Sequence, residues 1–361
     1  MLDNNVDDDD EFSELTDLHR ISTLLEACKS YTTDELNTID NLNDNFSSYF
    51  LNLDGNQSNF DSLSVELQQY KNKFSIIGIA ETNTDPSLST VYQLPDYNSF
   101  YQATQVGKRK GTGVALYTHK SLNATVNEHL SQITPNLETL FVTISHSNHP
   151  ITIGVLYRPP SGNVNDALSE LSKILEACPK KCVYIMGDFN IDLHGEYNSK
   201  VNLFEEITLS TGFAPIISLY THQQNNNTKK TCIDNILTND IDSVLLSGTI
   251  SDNLLHHLPI FHVLNTNIKK CEHEKVTQLY DFCNSNIDNF VTTLETEVNN
   301  TLPPNFHSFY STFNSVIDTT CKLDQPKTTK RTIKNNPWIT PSIITSVNTK
   351  HKLYKLWKKS V

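Results

Sequence analysis

Glu81 and Asp188 are carboxylates that each close a short apolar run, FSIIGIA (74–80) and CVYIM (182–186). Hard oxygen donors of this kind suit Mg2+, which keeps several waters and needs few protein ligands. A cation so placed polarises a phosphoryl oxygen and stabilises a leaving oxyanion. His257 is a group that exchanges protons near neutral pH, and Asp234 is an acid that could orient it. Asn52, Asn190 and the Tyr157 hydroxyl are neutral hydrogen-bonding groups able to position a phosphodiester or an attacking water. Taken singly, each has a plainer role: Asp188, Asn190 and Asn52 as turn residues, Glu81 as a solvated strand end, Asp234 as a local cap, His257 as a structural histidine, Tyr157 as a packed aromatic. Spacing alone leaves both readings open.

The elements that would hold these residues are mostly strands. FSSYFLN (46–52), FSIIGIA (74–80), GVALYT (113–118), TLFVTIS (139–145), ITIGVLY (151–157) and CVYIM (182–186) are short apolar runs bounded by Gly, Pro, Asn and Ser. Further strands are expected near 214–219, 232–237 and 258–264. Helices are expected over 62–73, 165–177 and 200–211, and again over 276–298 and 305–321. Thr340–Pro341 caps a basic amphipathic helix running to Lys359. Strands outnumber helices and neighbours lie close enough to pair antiparallel, which favours a layered α/β sandwich over a singly alternating βαβ fold. Polar residues at strand ends then share one rim while the sheets stay apolar.

The chain has 361 residues and a net charge of −13. Residues 1–44 carry 13 acids against 2 bases, and 325–361 carry 9 bases and no acid. We expect three parts: an acidic, mostly disordered segment over 1–44 with one short helical stretch around 14–28, a folded domain over 45–265 and a helical region over 266–361. No apolar run is long enough to cross a bilayer, so no membrane partner is expected. The acidic N-terminus does not resemble a secretory or mitochondrial leader. Seven scattered cysteines without paired CxxC units suggest a reduced, intracellular protein rather than a disulfide scaffold. The acidic balance argues against broad phosphate binding. Arg158 and the Lys108–Arg109–Lys110 run are the bases expected to meet a substrate.

In chain order, FSSYFLNL (46–53), FSIIGIAET (74–82), GTGVALYTHKSL (111–122), GVLYRPPSG (154–162), YIMGDFNIDL (184–193), CIDNILTN (232–239) and HLPIF (257–261) resemble the endonuclease domain of non-LTR (LINE-type) retrotransposons. That domain is a branch of the endonuclease/exonuclease/phosphatase superfamily. The resemblance spans about 45–265. At lower specificity, 337–359 resembles the linker that precedes reverse transcriptase, so the chain reads as an element cut short before its polymerase. The resemblance implies a four-layer α/β/β/α sandwich of two mixed sheets flanked by helices, with a helical C-terminal extension. It also implies Mg2+-dependent nicking of DNA, with Mn2+ as an alternative ion, by a monomer acting in the nucleus. By resemblance Glu81 and Asn52 lie at the metal, Tyr157 contacts the scissile phosphate, and Asp188 with Asn190 orients the attacking water. His257 is the catalytic histidine and Asp234 its orienting acid.

One position departs from the family pattern. An aspartate is expected immediately before the catalytic histidine, and this chain has His256 there; Ser251–Asp252 fits only with a four-residue insertion. Loss of that anion would weaken Mg2+ binding and strip negative charge from beside the base. Thr221–His222 also stands where an arginine commonly follows the threonine. Three functions therefore compete: an active DNA endonuclease, a decayed remnant of one, or the same fold acting on another phosphate ester.

Overall fold

The computed structural model describes residues 19–39, 45–83, 92–102, 111–145, 150–195, 198–223, 229–251, 255–267, 283–300 and 306–321. The strands, in chain order, are β1 (Lys29–Tyr31), β2 (Asn45–Asn52), β3 (Ile76–Ala80), β4 (Tyr97–Gln102), β5 (Val114–His119), β6 (Ala124–Val126), β7 (Gln132–Ile133) and β8 (Glu138–Ile144). They continue with β9 (Ile151–Tyr157), β10 (Val183–Asp188), β11 (Ala214–Pro215), β12 (His222–Gln223), β13 (Lys230–Thr231), β14 (Asp234–Thr238), β15 (Val244–Ile250) and β16 (Ile260–Asn267). The helices are α1 (19–27), α2 (Thr33–Leu36), α3 (Gln57–Leu67), α4 (Val164–Ala177), α5 (Ser199–Ser210), α6 (Asn284–Asn300) and α7 (Phe306–Thr320).

Two mixed sheets carry the fold. One runs β1-β15-β16-β2-β3-β5-β4; the other runs β11-β14-β10-β9-β8-β6, with β7 on β8. Two parallel pairs have a helix as their crossover, β2 to β3 through α3 and β9 to β10 through α4. Period-two alternation builds the layers. Phe46, Phe50, Ile76, Ala80 and Leu116 of the first sheet meet Val142, Ile153, Val155, Tyr184, Met186 and Ile236 of the second in one buried layer. The opposite face of the first sheet (Tyr49, Leu51, Ile77, Ile79, Tyr117) packs under Leu36, Phe60 and Leu63. The opposite face of the second (Phe141, Leu156, Val183, Ile185) packs under Leu168, Leu171 and Ile174 of α4 and Phe204 of α5. The result is the expected four-layer α/β/β/α sandwich.

Most expected elements lie within a few residues of those observed. The helix expected at 62–73 starts earlier, because the Asn56 side chain accepts from the Ser58 amide and caps α3 there. The larger departure concerns 1–44. Residues 19–39 are folded: β1 pairs in parallel with β15, and Cys28 and Leu36 are buried. Local chemistry explains it. Thr32 and Glu35 form a capping box that starts α2. Composition averaged over the segment hid these few apolar anchors beneath its acids.

β16 extends past the expected domain end at 265, to Asn267. A second compact unit spans Cys271–Lys334. Within it α6 and α7 pack through Phe290 on Phe313, ring centroids 5.3 Å apart. The basic helix expected over 340–359 lies outside the described residues, as do Lys108, Arg109, Lys110 and Asp252.

Candidate active site

The inward faces of β2, β9 and β10 are mostly apolar and each ends in a polar residue. In β2 the inward series Phe46, Phe50 ends in Asn52; in β10 Tyr184, Met186 ends in Asp188; in β9 Ile153, Val155 ends in Tyr157. β14 runs antiparallel to β10, so its first residue, Asp234, pairs with Asp188 in register, and Tyr157 pairs with Asp188 from the other side. Strand direction and the two-residue period thus deliver these four polar groups to one end of the layer between the sheets.

Two residues break the period. Glu81 follows inward-facing Ala80 and has φ +52°, and Asn190 has φ +50°. Such backbone costs a non-glycine residue energy and collects at working sites. Neighbouring loops enforce it at Glu81. Thr82 and Asn83 donate backbone amides to the carbonyls of Gly113 and Thr112. The Asn83 side chain takes the amide of Gly111 at 2.7 Å and donates to the carbonyl of Gly55. Gly111 has φ +73°, and a Cβ there would sit 2.7 Å from Glu81 Oε2, so glycine makes room for the carboxylate. Buried Glu138 accepts the Gly113 amide at 2.6 Å and ties this loop to the second sheet.

The polar groups form one network. Asn52 Nδ2 donates to Glu81 Oε1 and to Asp188 Oδ2, both at 2.9 Å. Asp188 Oδ1 accepts the Asn190 amide at 2.8 Å, and Asn190 Nδ2 reaches Asp188 Oδ2 at 3.1 Å. The Tyr157 hydroxyl bonds Glu81. His257 Nδ1 lies 2.9 Å from Asp234 Oδ2. Thr221 fastens this pair: its hydroxyl accepts the Asp234 amide at 3.0 Å, and its carbonyl accepts the Leu258 amide at 2.6 Å.

Burial sets the electrostatics. Desolvation pushes the Glu81 carboxyl up, against its bonds from Asn52 and Tyr157. Desolvation and the facing charge of Asp234 push Asp188 up. The Tyr157 phenol is driven far above its usual range by burial and by Glu81. Desolvation disfavours charge on His257, but the carboxylates of Asp234, Asp188 and Asp54 outweigh it and push its pKa up to about 10. Buried acids held near one another and reluctant to ionise are the donor set a divalent cation would stabilise. Asp188, Asp234 and His257 also bring one ligand atom each within 4.8 Å of one another among the described residues. Because His257 Nδ1 and Asp234 already bond each other, Glu81 and Asp188 suit a hard cation better.

Arg158 departs from expectation. It is buried, and its guanidinium donates to the carbonyls of Phe189 (2.6 Å), Pro159 (3.0 Å) and Asn190 (2.7 Å). Its side chain turns into these carbonyls and braces the loop carrying Asn190. Residue types alone did not single out Asp54, Asn83 or Glu138. Asp54, in the Asn–Leu–Asp–Gly turn, places its carboxylate oxygens 3.6 Å from His256 Nδ1 and 3.6 Å from His257 Nε2. Its position between Leu53 and Gly55 reads as an ordinary turn, which masked it. His222 stands against His257, ring centroids 4.6 Å apart.

The family model described as Endonuclease/Exonuclease/phosphatase family matches residues 46–254. No curated protein matches the chain. Among solved structures, the endonuclease domain of TRAS1, a telomere-specific non-LTR retrotransposon, is similar at 15% identity and TM-score 0.51, covering 62% of this chain and 100% of that one. The AP endonuclease LMAP from Leishmania major is similar at 12% identity and TM-score 0.52, covering 68% of this chain and 97% of that one. At these identities the likeness is one of fold.

Proposed function

The chain belongs to the endonuclease/exonuclease/phosphatase family, and from that premise we propose that it is a divalent-metal-dependent phosphodiesterase that nicks DNA. The observation that carries the reading is the buried His257–Asp234 pair facing a Glu81–Asp188 carboxylate pair bridged by Asn52. Glu81 and Asp188 would hold the cation, which when bound supplies charge neutralisation at the phosphoryl and leaving oxygens.

The chain's own residues supply the rest. Asp234 occupies Nδ1 of His257, which leaves Nε2 as the nitrogen that exchanges a proton with substrate. Asn190 donates both side-chain N–H groups, to Asp188 and to the Arg158 carbonyl, and so holds the Asp188 carboxylate in place beside the cation site. Tyr157 stays protonated, so its hydroxyl serves as a hydrogen-bond donor and not as a base.

DNA as substrate, and kinship with retroelement endonucleases, rest on the combined spelling YRPPSG (157–162), GDFNIDL (187–193) and IDNILTN (233–239). The TRAS1 domain's matching fold is consistent with it. The test is conversion of supercoiled plasmid to open circle by the full chain, with Mg2+ or Mn2+ and with EDTA. Nicking that needs the metal and disappears in Asp188→Ala and His257→Ala is expected. No nicking with either ion from a folded protein overturns the proposal.

A further inference from the structure

Residues 19–39 lie outside the matched family region, which begins at 46, yet they fasten both stretches of chain that converge on the His257–Asp234 pair. The first stretch is 216–221. The Leu25 carbonyl in α1 accepts the Ser218 hydroxyl at 2.7 Å, and Cys28 is buried in one apolar cluster with Ile216 and Ile217. The same stretch ends in Thr221, whose hydroxyl accepts the Asp234 amide and whose carbonyl accepts the Leu258 amide. The second stretch is the connection from β15 to β16, which carries His257. β1 extends the first sheet beyond β15 in parallel register, with Lys29 opposite Gly248 and Tyr31 opposite Ile250. At the start of the connection the Tyr31 carbonyl accepts the Ser251 amide at 2.8 Å and the Ser251 hydroxyl at 3.3 Å. Toward its end the Ile250 amide donates to the Pro259 carbonyl at 2.8 Å, and the Tyr31 ring meets Phe261 edge to face at 5.5 Å. His257 is therefore carried between two fastenings.

The docking is written into particular residues. A Cβ at Gly248 would collide with the Lys29 carbonyl oxygen, so β1 reaches β15 only because a side chain is missing there. Beyond the capping box of α2, the Asn37 side chain accepts the Lys71 amide at 2.7 Å and donates to the Gln69 carbonyl at 3.0 Å. The segment is thus held at α1, at β1 and after α2 by residues distant in the chain. Acid–base chemistry tolerates little displacement of the group that performs it, and a shift of about 1 Å can cost roughly 10²-fold. Freeing Ser251 and Ser218 would loosen both backbones that set His257 against Asp234. We propose that residues 19–39 are a positioning clamp for the His257–Asp234 pair, acting through the backbones at Ser251 and Ser218 without touching substrate. The catalytic part of this inference rests on the reading of that pair as the acid–base machinery.

The test follows hydrogen–deuterium exchange of the full chain, without DNA, at the amides of Ser251, Leu258 and Gln223. Gly248→Ala is expected to displace β1, so that the Ser251 amide loses its protection. Leu258, which bonds the Thr221 carbonyl, and Gln223, which bonds the His256 carbonyl, should then exchange roughly tenfold faster or more. Tyr31→Ala, which takes the ring away from Phe261, should act in the same direction to a smaller degree, and it carries the test where Gly248→Ala does not fold. Leu168→Ala, in α4 over the other sheet, is the control for lost stability: it should lower the urea midpoint and leave these amides unchanged. In plasmid nicking Gly248→Ala should lower kcat by roughly tenfold or more with KM held within about twofold, while the control keeps both. Leu258 exchange at the wild-type rate in every variant that folds overturns the inference, and so does an unchanged kcat where that exchange has quickened. Faster exchange at Leu258 beside a wild type that does not nick sinks the nuclease reading alone.

Discussion

At the residue scale the site depends on one pairing. Asp234 is buried, contributes no visible solvent contact of its own, and bonds His257 Nδ1 at 2.9 Å. Asp234→Asn keeps the shape and removes the charge. The His257 pKa, held up to about 10 by Asp234 with Asp188 and Asp54 against the opposing effect of burial, should then fall toward or below the usual histidine range. Histidine ring resonances followed by NMR across pH report it directly. Nicking should fall by roughly 10²–10⁴-fold, the usual span for loss of acid–base function. A His257 titration that does not move would show that Asp234 does not set its charge. The seven residues singled out by type gather at one end of the layer between the sheets, because most of them lie at or next to the end of a strand whose apolar alternation is plain in the sequence. Asp54 was not legible in that way: its carboxylate gains meaning only when HHLP (256–259) folds beside the turn that carries it.

At the element scale the informative piece is the loop after β9. Arg158 is the residue whose role the fold reassigns. Three of its guanidinium nitrogens donate to three carbonyls, two of them in the Phe189–Asn190 loop. Removing the donor leaves buried carbonyls without partners. Arg158→Met should therefore cost about 2–4 kcal/mol in urea unfolding. Arg158→Lys should recover little, since an ammonium cannot reproduce the planar fork. A substrate-binding arginine would behave oppositely, with unchanged stability and a raised KM. The sequence marks this arginine only as a base beside Tyr157, which fits either role. Its direction follows from the parallel β9–β10 pairing, which sets Tyr157 against Asp188 and brings the following loops together.

At the scale of the whole molecule the layer between the sheets holds a group with no evident catalytic use. His262 of β16 is fully buried, stacks on Tyr184 at 5.0 Å and 20°, and has no hydrogen-bond partner at either ring nitrogen among the described residues. Desolvation pushes its pKa down to about 3. The unfolded chain takes up a proton near pH 6.5, while the folded chain does not until about 3. Between those values the unfolded state binds more protons, so this group's contribution is present above 6.5 and is lost as pH falls toward 3. The slope is at most about 1.4 kcal/mol per pH unit. Glu81 and Asp188, pushed up, act in the opposite sense at acid pH, so the comparison must be made by difference. The stability of His262→Phe relative to wild type should rise as pH is lowered from 6.5 to 4, by chemical denaturation at each pH. A constant difference would show that His262 finds a proton partner in the core.

Local order was written in the residues themselves. Strand alternation, helix caps and the polar ends of apolar runs are properties of neighbours in the chain, and they sufficed for a layered α/β sandwich with polar strand ends on one rim; the two mixed sheets and the carboxylate–histidine site came from the family resemblance. Pairing between distant segments was not. The docking of 19–39 on β15, the inward turn of Arg158, and the placing of Asp54 between His256 and His257 each join segments far apart in sequence. Which of several chemically eligible partners a buried polar group meets depends on strand register and loop closure, and only the assembled sheets decide that.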